Sequence, residues 1–166
     1  GEIIHTQLIG SPVHFQQILM NIGSNAVKYN HDGGSVTVTC REVSYTDTTA
    51  EYELTCTDTG ISMSEEFQKR AFEPFAQEGQ LARTKYAGTG LGLAISRKLI
   101  ELRGGTLFFE SIQGKGTKFI LHISFEISAE EQKKKFHMYQ NCSVEGIQVL
   151  LVEDNELNME IAEFLL

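Results

Sequence analysis

The chain has 166 residues, of which 22 are Asp or Glu and 14 are Lys or Arg, giving a formal net charge of −8. That balance argues against general nucleic-acid binding, where basic surface displaces counterions from phosphates, and a polyanionic ligand would need local cations or a metal. A hydrophobic content of 41 % supports a real core, and no apolar run approaches a membrane span of roughly 20 residues. With no signal-peptide pattern either, a cytoplasmic piece without membrane contact is expected, although a longer parent protein has room for an anchor.

There is room for one domain of about 100 to 150 residues and a tail. Cys40, Cys56 and Cys142 are odd in number and widely spaced, so neither a disulfide framework nor a zinc site is expected. Cys40 continues the parity of Val36 and Val38, and Cys56 that of Tyr52 and Leu54. Both are read as small core residues in a reducing compartment.

Ser11-Pro12 offers a hydroxyl at the N-cap and proline at the first helical position. Phe15, Ile18, Leu19, Ile22 and Ala26 then recur at helical spacing. Beside that stripe Asn21, Asn25 and Lys28 form a polar row, at i, i+4 and i+7. Two readings fit the row. It is a solvated helix edge, or its amide oxygens serve a magnesium ion while Lys28 answers phosphate charge.

His31-Asp32-Gly33-Gly34 reads as a turn, residues 35–40 and 51–57 as alternating strands. On the second strand Asp58 shares the parity of Tyr52, Leu54 and Cys56, so its carboxylate points toward the buried side and needs a donor. An adenine amino group would be such a donor, and a guanine carbonyl would be repelled; the alternative is an Asp that opens the turn at Thr59-Gly60. Gly60 would let the backbone approach a flat ligand. Ser64 with Glu65 and Glu66 starts a short helix that Pro74 stops, and Phe67, Ala71, Phe72 and Phe75 are read as core or loop anchors.

Residues 77–87 are polar and lack a strand period, and residues 88–92 alternate glycine before an apolar helix with Leu91, Ile95, Leu99 and Leu102. Absent Cβ atoms and the first-turn N–H groups make this a phosphate-binding place. The missing preceding strand argues against a dinucleotide loop, and Leu93-Ala94 against a P-loop. A tight turn with close helix packing is the alternative. Gly104-Gly105 ends the helix, residues 106–110 and 117–125 read as a last strand pair, and residues 128–146 as a charged linker. Val149-Leu150-Leu151-Val152 then reads as a strand covered on both faces, followed by Glu153-Asp154 and a helix.

Together these stretches resemble the catalytic ATP-binding domain of a sensor histidine kinase (residues 1–127), the linker, and the first strand and helix of a response-regulator receiver domain (residues 147–166), which is the layout of a hybrid histidine kinase. The matches are Asn21-x-x-x-Asn25-Ala-x-Lys28-Tyr29 to the N box, Asp58-Thr59-Gly60 to the G1 box and Phe72-Glu73-Pro74-Phe75 to the F box. Residues 88–92 match the G2 box, and Gly114-x-Gly116-Thr117-x-Phe119 the terminal glycine motif.

The resemblance implies an α/β two-layer sandwich of the Bergerat type, with helices on one face of a mixed sheet. It implies ATP and Mg2+ as ligands, Asn25 as the magnesium ligand, Asn21 nearer the γ-phosphate, and Lys28 and Tyr29 at the nucleotide. Asp58 would hold the adenine amino group, Thr117 would support adenine through water, and Gly88, Gly90 and Gly92 would lie along the phosphates. Gly60, Met63, Phe75, Thr89 and Leu91 complete the implied nucleotide set, with Arg83 or Lys85 reaching phosphate from a lid over residues 76–87. Glu153 and Asp154 match a receiver's acidic metal pair, incomplete here. The implied partners are a histidine-bearing dimerisation domain and a receiver domain or response regulator.

Two features depart from the pattern. Ser62 stands where the G1 box usually has a second glycine, and a positive φ there would strain serine and weaken ATP binding. None of His5, His14, His31, His122 and His137 stands in a substrate-histidine motif. The rival expectations are a nucleotide-poor docking module and an ATPase of the same superfamily acting elsewhere.

Overall fold

The computed structural model describes residues 3–78 and 88–132. The described residues belong to one compact unit, residues 1–133. Cys142, the expected receiver segment with Glu153 and Asp154, and the lid residues Arg83 and Lys85 lie outside the described residues.

A two-residue strand β1 (Leu8–Ile9), which the sequence did not announce, precedes helix α1 (Pro12–Lys28). Ser11 caps α1 as its spacing predicts, the hydroxyl accepting from the His14 N–H at 3.4 Å. Strands β2 (Val36–Tyr45) and β3 (Thr49–Asp58) form a hairpin closed by Thr46, whose hydroxyl accepts from the Thr48 and Thr49 N–H groups. The short helix α2 (Glu65–Gln68) is capped by Ser64, and helix α3 (Gly92–Glu101) is followed by Gly104 at φ +70°. Strands β4 (Thr106–Ile112) and β5 (Gly116–Ile127) make the second hairpin.

The sheet runs β2-β3-β5, with β1 and β4 sharing the far edge of β5. Every pairing among the described strands is antiparallel, where the resemblance implied a mixed sheet. Short turns join β2 to β3 and β4 to β5, and such turns permit only antiparallel neighbours. The α/β two-layer class itself stands: α1 and α3 cover one face of a curled antiparallel sheet.

The core lies between those layers. Ile18, Ile22 and Ala26 of α1 and Ile100 of α3 meet Tyr52, Leu54 and Cys56 of β3, Leu107 of β4, and Phe119, Leu121 and Ile123 of β5. Each large aliphatic buried this way contributes roughly 1.5–3 kcal/mol. Cys56 is buried as expected, but Cys40 is exposed. The parity is right, since Cys40 pairs with Leu54, yet β2 is the edge strand and the helices pack over β3 and β4. Val38, on the same face, is 58 % exposed.

At the other end of β2 Glu42, opposite Tyr52, keeps the inward parity of Val36, Val38 and Cys40 and is buried, and a bulge follows it before Ser44. One carboxylate oxygen lies 2.7 Å from His5 Nδ1, and the other accepts the N–H groups of Ile4 and His5 at 2.8 and 2.9 Å. Tyr52 donates its hydroxyl to the His5 carbonyl, and burial, followed by the Glu42 charge, pushes that phenol up to about 12. This cluster fastens the segment before α1 to the sheet.

Candidate nucleotide site

The parity of β3 delivers Asp58 to the helix-covered face at the strand's last position, where it is 5 % exposed. Its Oδ1 accepts the N–H of Gly60 at 2.9 Å and of Thr117 at 3.2 Å. Oδ2 accepts nothing among the described residues, and the residue borders a cleft of about 270 Å³, just below the roughly 300–1,000 Å³ typical of small-molecule sites. Burial pushes the Asp58 carboxyl up from its ordinary range, partly offset by the two N–H groups. A donor arriving at Oδ2 would complete the group.

The cleft is walled by α1 on one side and by the loop after β3 on the other. Asn21, Asn25, Lys28 and Tyr29 all line it, so the polar row is a site wall and not merely a solvated edge. The Asn21 amide donates to the Gly92 carbonyl at 3.2 Å and to Ser96 Oγ at 3.1 Å, tying α1 to the start of α3. The Asn25 amide makes no hydrogen bond among the described residues, so its oxygen is available to a hard cation. Lys28 Nζ sits over the Tyr29 ring, 5.0 Å from its centroid.

Gly88, Thr89, Gly90 and Gly92 bring the glycine-alternating loop to the same cleft, with Met63 and Thr117. A Cβ on Gly88 would fall 2.9 Å from Lys28 Nζ, so the lysine reaches the loop itself. Gly90 adopts φ +71° and lets the loop press on the backbone of Phe75 and Ala76, where a Cβ would lie 2.7 Å from the Ala76 carbonyl oxygen. Leu91 does not border the cleft; it caps α3 without a side-chain hydrogen bond.

Gly60 presses on the end of the helix: a Cβ there would lie 2.3 Å from the Tyr29 carbonyl oxygen, which accepts the Ile61 N–H. Two other expectations are corrected. Phe75 is neither an anchor nor a cleft residue; it takes φ +65°, is 69 % exposed, and leaves Ala76 to line the site. Ser62 is not strained, since Phe75 alone among the described non-glycine residues has positive φ. The Ser62 hydroxyl instead accepts the Gly114 N–H at 2.9 Å and the residue lines the cleft.

Sequence reasoning missed several lining residues. Ser24 follows Asn21 at i+3 on the same helix edge, a signal that was present. Gln77 and Glu78 line the cleft too, within the stretch expected as a lid, although neither was singled out by name.

Residues 10–127 match the family model described as histidine kinase-, DNA gyrase B-, and HSP90-like ATPase. The sensor histidine kinase AruS of Pseudomonas aeruginosa is 36 % identical over 163 residues, 98 % of this chain and 16 % of that protein. Among solved structures, a mycobacterial sensor histidine kinase, MprB, superposes with a TM-score of 0.59 at 25 % identity, covering 73 % of this chain and 78 % of that one. Full-length ShkA in complex with AMPPNP gives 0.58 at 27 % identity, over 77 % of this chain and 25 % of that one. On a match that covers most of its length, this chain belongs to the family of histidine kinase-, DNA gyrase B- and HSP90-like ATPases.

Proposed function

We propose that the cleft binds Mg-ATP and that, in the whole protein, it presents the γ-phosphoryl group to a histidine on a dimerisation domain of a hybrid histidine kinase. The observation that carries this is Asp58, a buried carboxylate with one oxygen unspent, in a cleft that Lys28 and the glycine loop also line. A base amino group suits the carboxylate, and phosphates suit Lys28 and the loop. ShkA, similar over most of the present chain, is described in complex with AMPPNP, which supports the ligand class.

Asn25 offers an amide oxygen to magnesium and Lys28 a cation to the phosphates, so the chemistry asked of the protein is positioning and charge neutralisation. The hybrid layout rests on residues 147–166 and on the similarity to AruS, which extends over 163 residues of this chain. A receiver domain or response regulator is then the acceptor partner downstream.

Calorimetric titration with AMPPNP, with and without Mg2+, and with the corresponding guanine analogue tests the reading. Magnesium-dependent, adenine-selective binding is the expected result. Failure of the wild-type chain to bind either analogue overturns it.

A further inference from the structure

The loop that follows Asp58 is fastened to the β4–β5 hairpin at three points. Asp58 Oδ1 accepts the Thr117 N–H, Ser111 Oγ accepts the Met63 N–H at 2.8 Å, and Ser62 Oγ accepts the Gly114 N–H at 2.9 Å. Asp58, Met63 and Thr117 line the cleft as Ser62 does, but only at the third point is the fastening acceptor a hydroxyl that lines it. Its oxygen takes the Gly114 N–H through one lone pair, while its own O–H proton has no acceptor among the described residues. A hydroxyl so held keeps a fixed oxygen position and retains a donor to spend.

We propose that Ser62 is a specificity-determining residue, donating its hydroxyl proton to adenine N1, beside the amino group that Asp58 accepts. The inference rests on the nucleotide reading of the cleft. Adenine carries a donor amino group flanked by two acceptor nitrogens, N1 and N7, so a carboxylate and a neighbouring hydroxyl donor suit it. Guanine carries a carbonyl in place of the amino group, which the Asp58 carboxylate repels, and a protonated N1, which cannot accept the hydroxyl proton. The hydroxyl thereby adds discrimination at the position where a glycine would add none.

The test is a ligand-by-variant comparison on the whole 166-residue chain. Dissociation constants are measured for AMPPNP, 1-deaza-ATP, 7-deaza-ATP and a guanine analogue, with wild type, Ser62→Ala, Ser62→Gly and Ser62→Thr. Of the two deaza analogues, wild type should lose roughly 10-fold in affinity for 1-deaza-ATP. Ser62→Ala and Ser62→Gly should bind AMPPNP about 10-fold more weakly and no longer distinguish that analogue from AMPPNP, while Ser62→Thr, which keeps the hydroxyl, should retain the distinction. A loss confined to 7-deaza-ATP would place the hydroxyl at a nitrogen that guanine shares and overturn the specificity role.

An equal loss for every ligand in Ser62→Ala would make Ser62 a loop fastener and overturn the proposal, as would a deaza penalty that survives the substitution. A wild-type chain that binds no adenine nucleotide fails at the earlier step, and the two failures are distinguishable.

Discussion

The Asn21 amide nitrogen donates across the helix pair to Ser96 Oγ at 3.1 Å and to the Gly92 carbonyl at 3.2 Å. A carbonyl only accepts, so it fixes which end of the amide faces α3 and leaves the Asn21 oxygen toward the cleft. Ser96 is fully buried, touches no ligand position, and acts through Asn21 as a positioning residue. Ser96→Ala should lower AMPPNP affinity in the presence of Mg2+ by about 5- to 10-fold, with about 1 kcal/mol lost in stability. If the substitution costs stability alone, with nucleotide affinity unchanged, the positioning role is wrong.

Asn25 differs from Asn21 in that no described residue binds its amide, although both line the cleft. Asn25→Ala should leave the fold intact, since the residue lies off the buried stripe of Ile18, Ile22 and Ala26. It should remove most of the magnesium-dependent part of AMPPNP binding and spare the magnesium-independent part. Calorimetry at several Mg2+ concentrations reads the two apart, and a full magnesium effect in the variant would remove Asn25 from the ligand role.

For Asp58, stability and binding should move in opposite directions. Burial raises its carboxyl above the ordinary range, so its contribution to the unliganded fold is present at low pH and is lost as pH rises through the raised value. Asp58→Asn keeps an oxygen for the Gly60 and Thr117 N–H groups but removes the buried charge. The unliganded variant should melt no lower than wild type at pH 7, while AMPPNP affinity falls by roughly 10- to 100-fold because an amide donor now faces the base amino group. Paired melting and titration experiments check both halves, and unchanged affinity would end the adenine assignment.

What was legible in the sequence was local. Ser11-Pro12 started α1 because a cap and a proline act within one turn, and the period of two along β3 was enough to turn Asp58 inward. The hidden parts depend on chain segments far apart. Asn21 meets Ser96 across 75 residues and Ser62 meets Gly114 across 52, and no spacing rule connects them. Cys40 was misplaced for a related reason: strand parity gives the face, but only the sheet order shows that β2 is the edge. Phe75 was misread because the backbone reverses there at φ +65°, a conformation rare for an aromatic residue.

Glu42 was equally hidden: strand parity continues through it from Val38 and Cys40, but its partner His5 lies 37 residues away. Burial alone would raise its carboxyl, but the His5 N–H, the His5 ring and the Ile4 N–H together outweigh that and hold it below its ordinary range. A carboxylate depressed in the folded state stabilises above its unfolded value and loses that contribution as pH falls through the folded one. Glu42→Gln should therefore melt about 5 °C or more below wild type at pH 7, since hydrogen bonds to a charged acceptor are the stronger kind. The gap should narrow as pH drops below about 4.5, the ordinary value for this side chain, because protonated Glu42 then matches the uncharged variant. Thermal melts of both chains across that range decide it: a gap that is constant with pH would mean that the charge of Glu42 does not hold the N-terminal segment to the sheet.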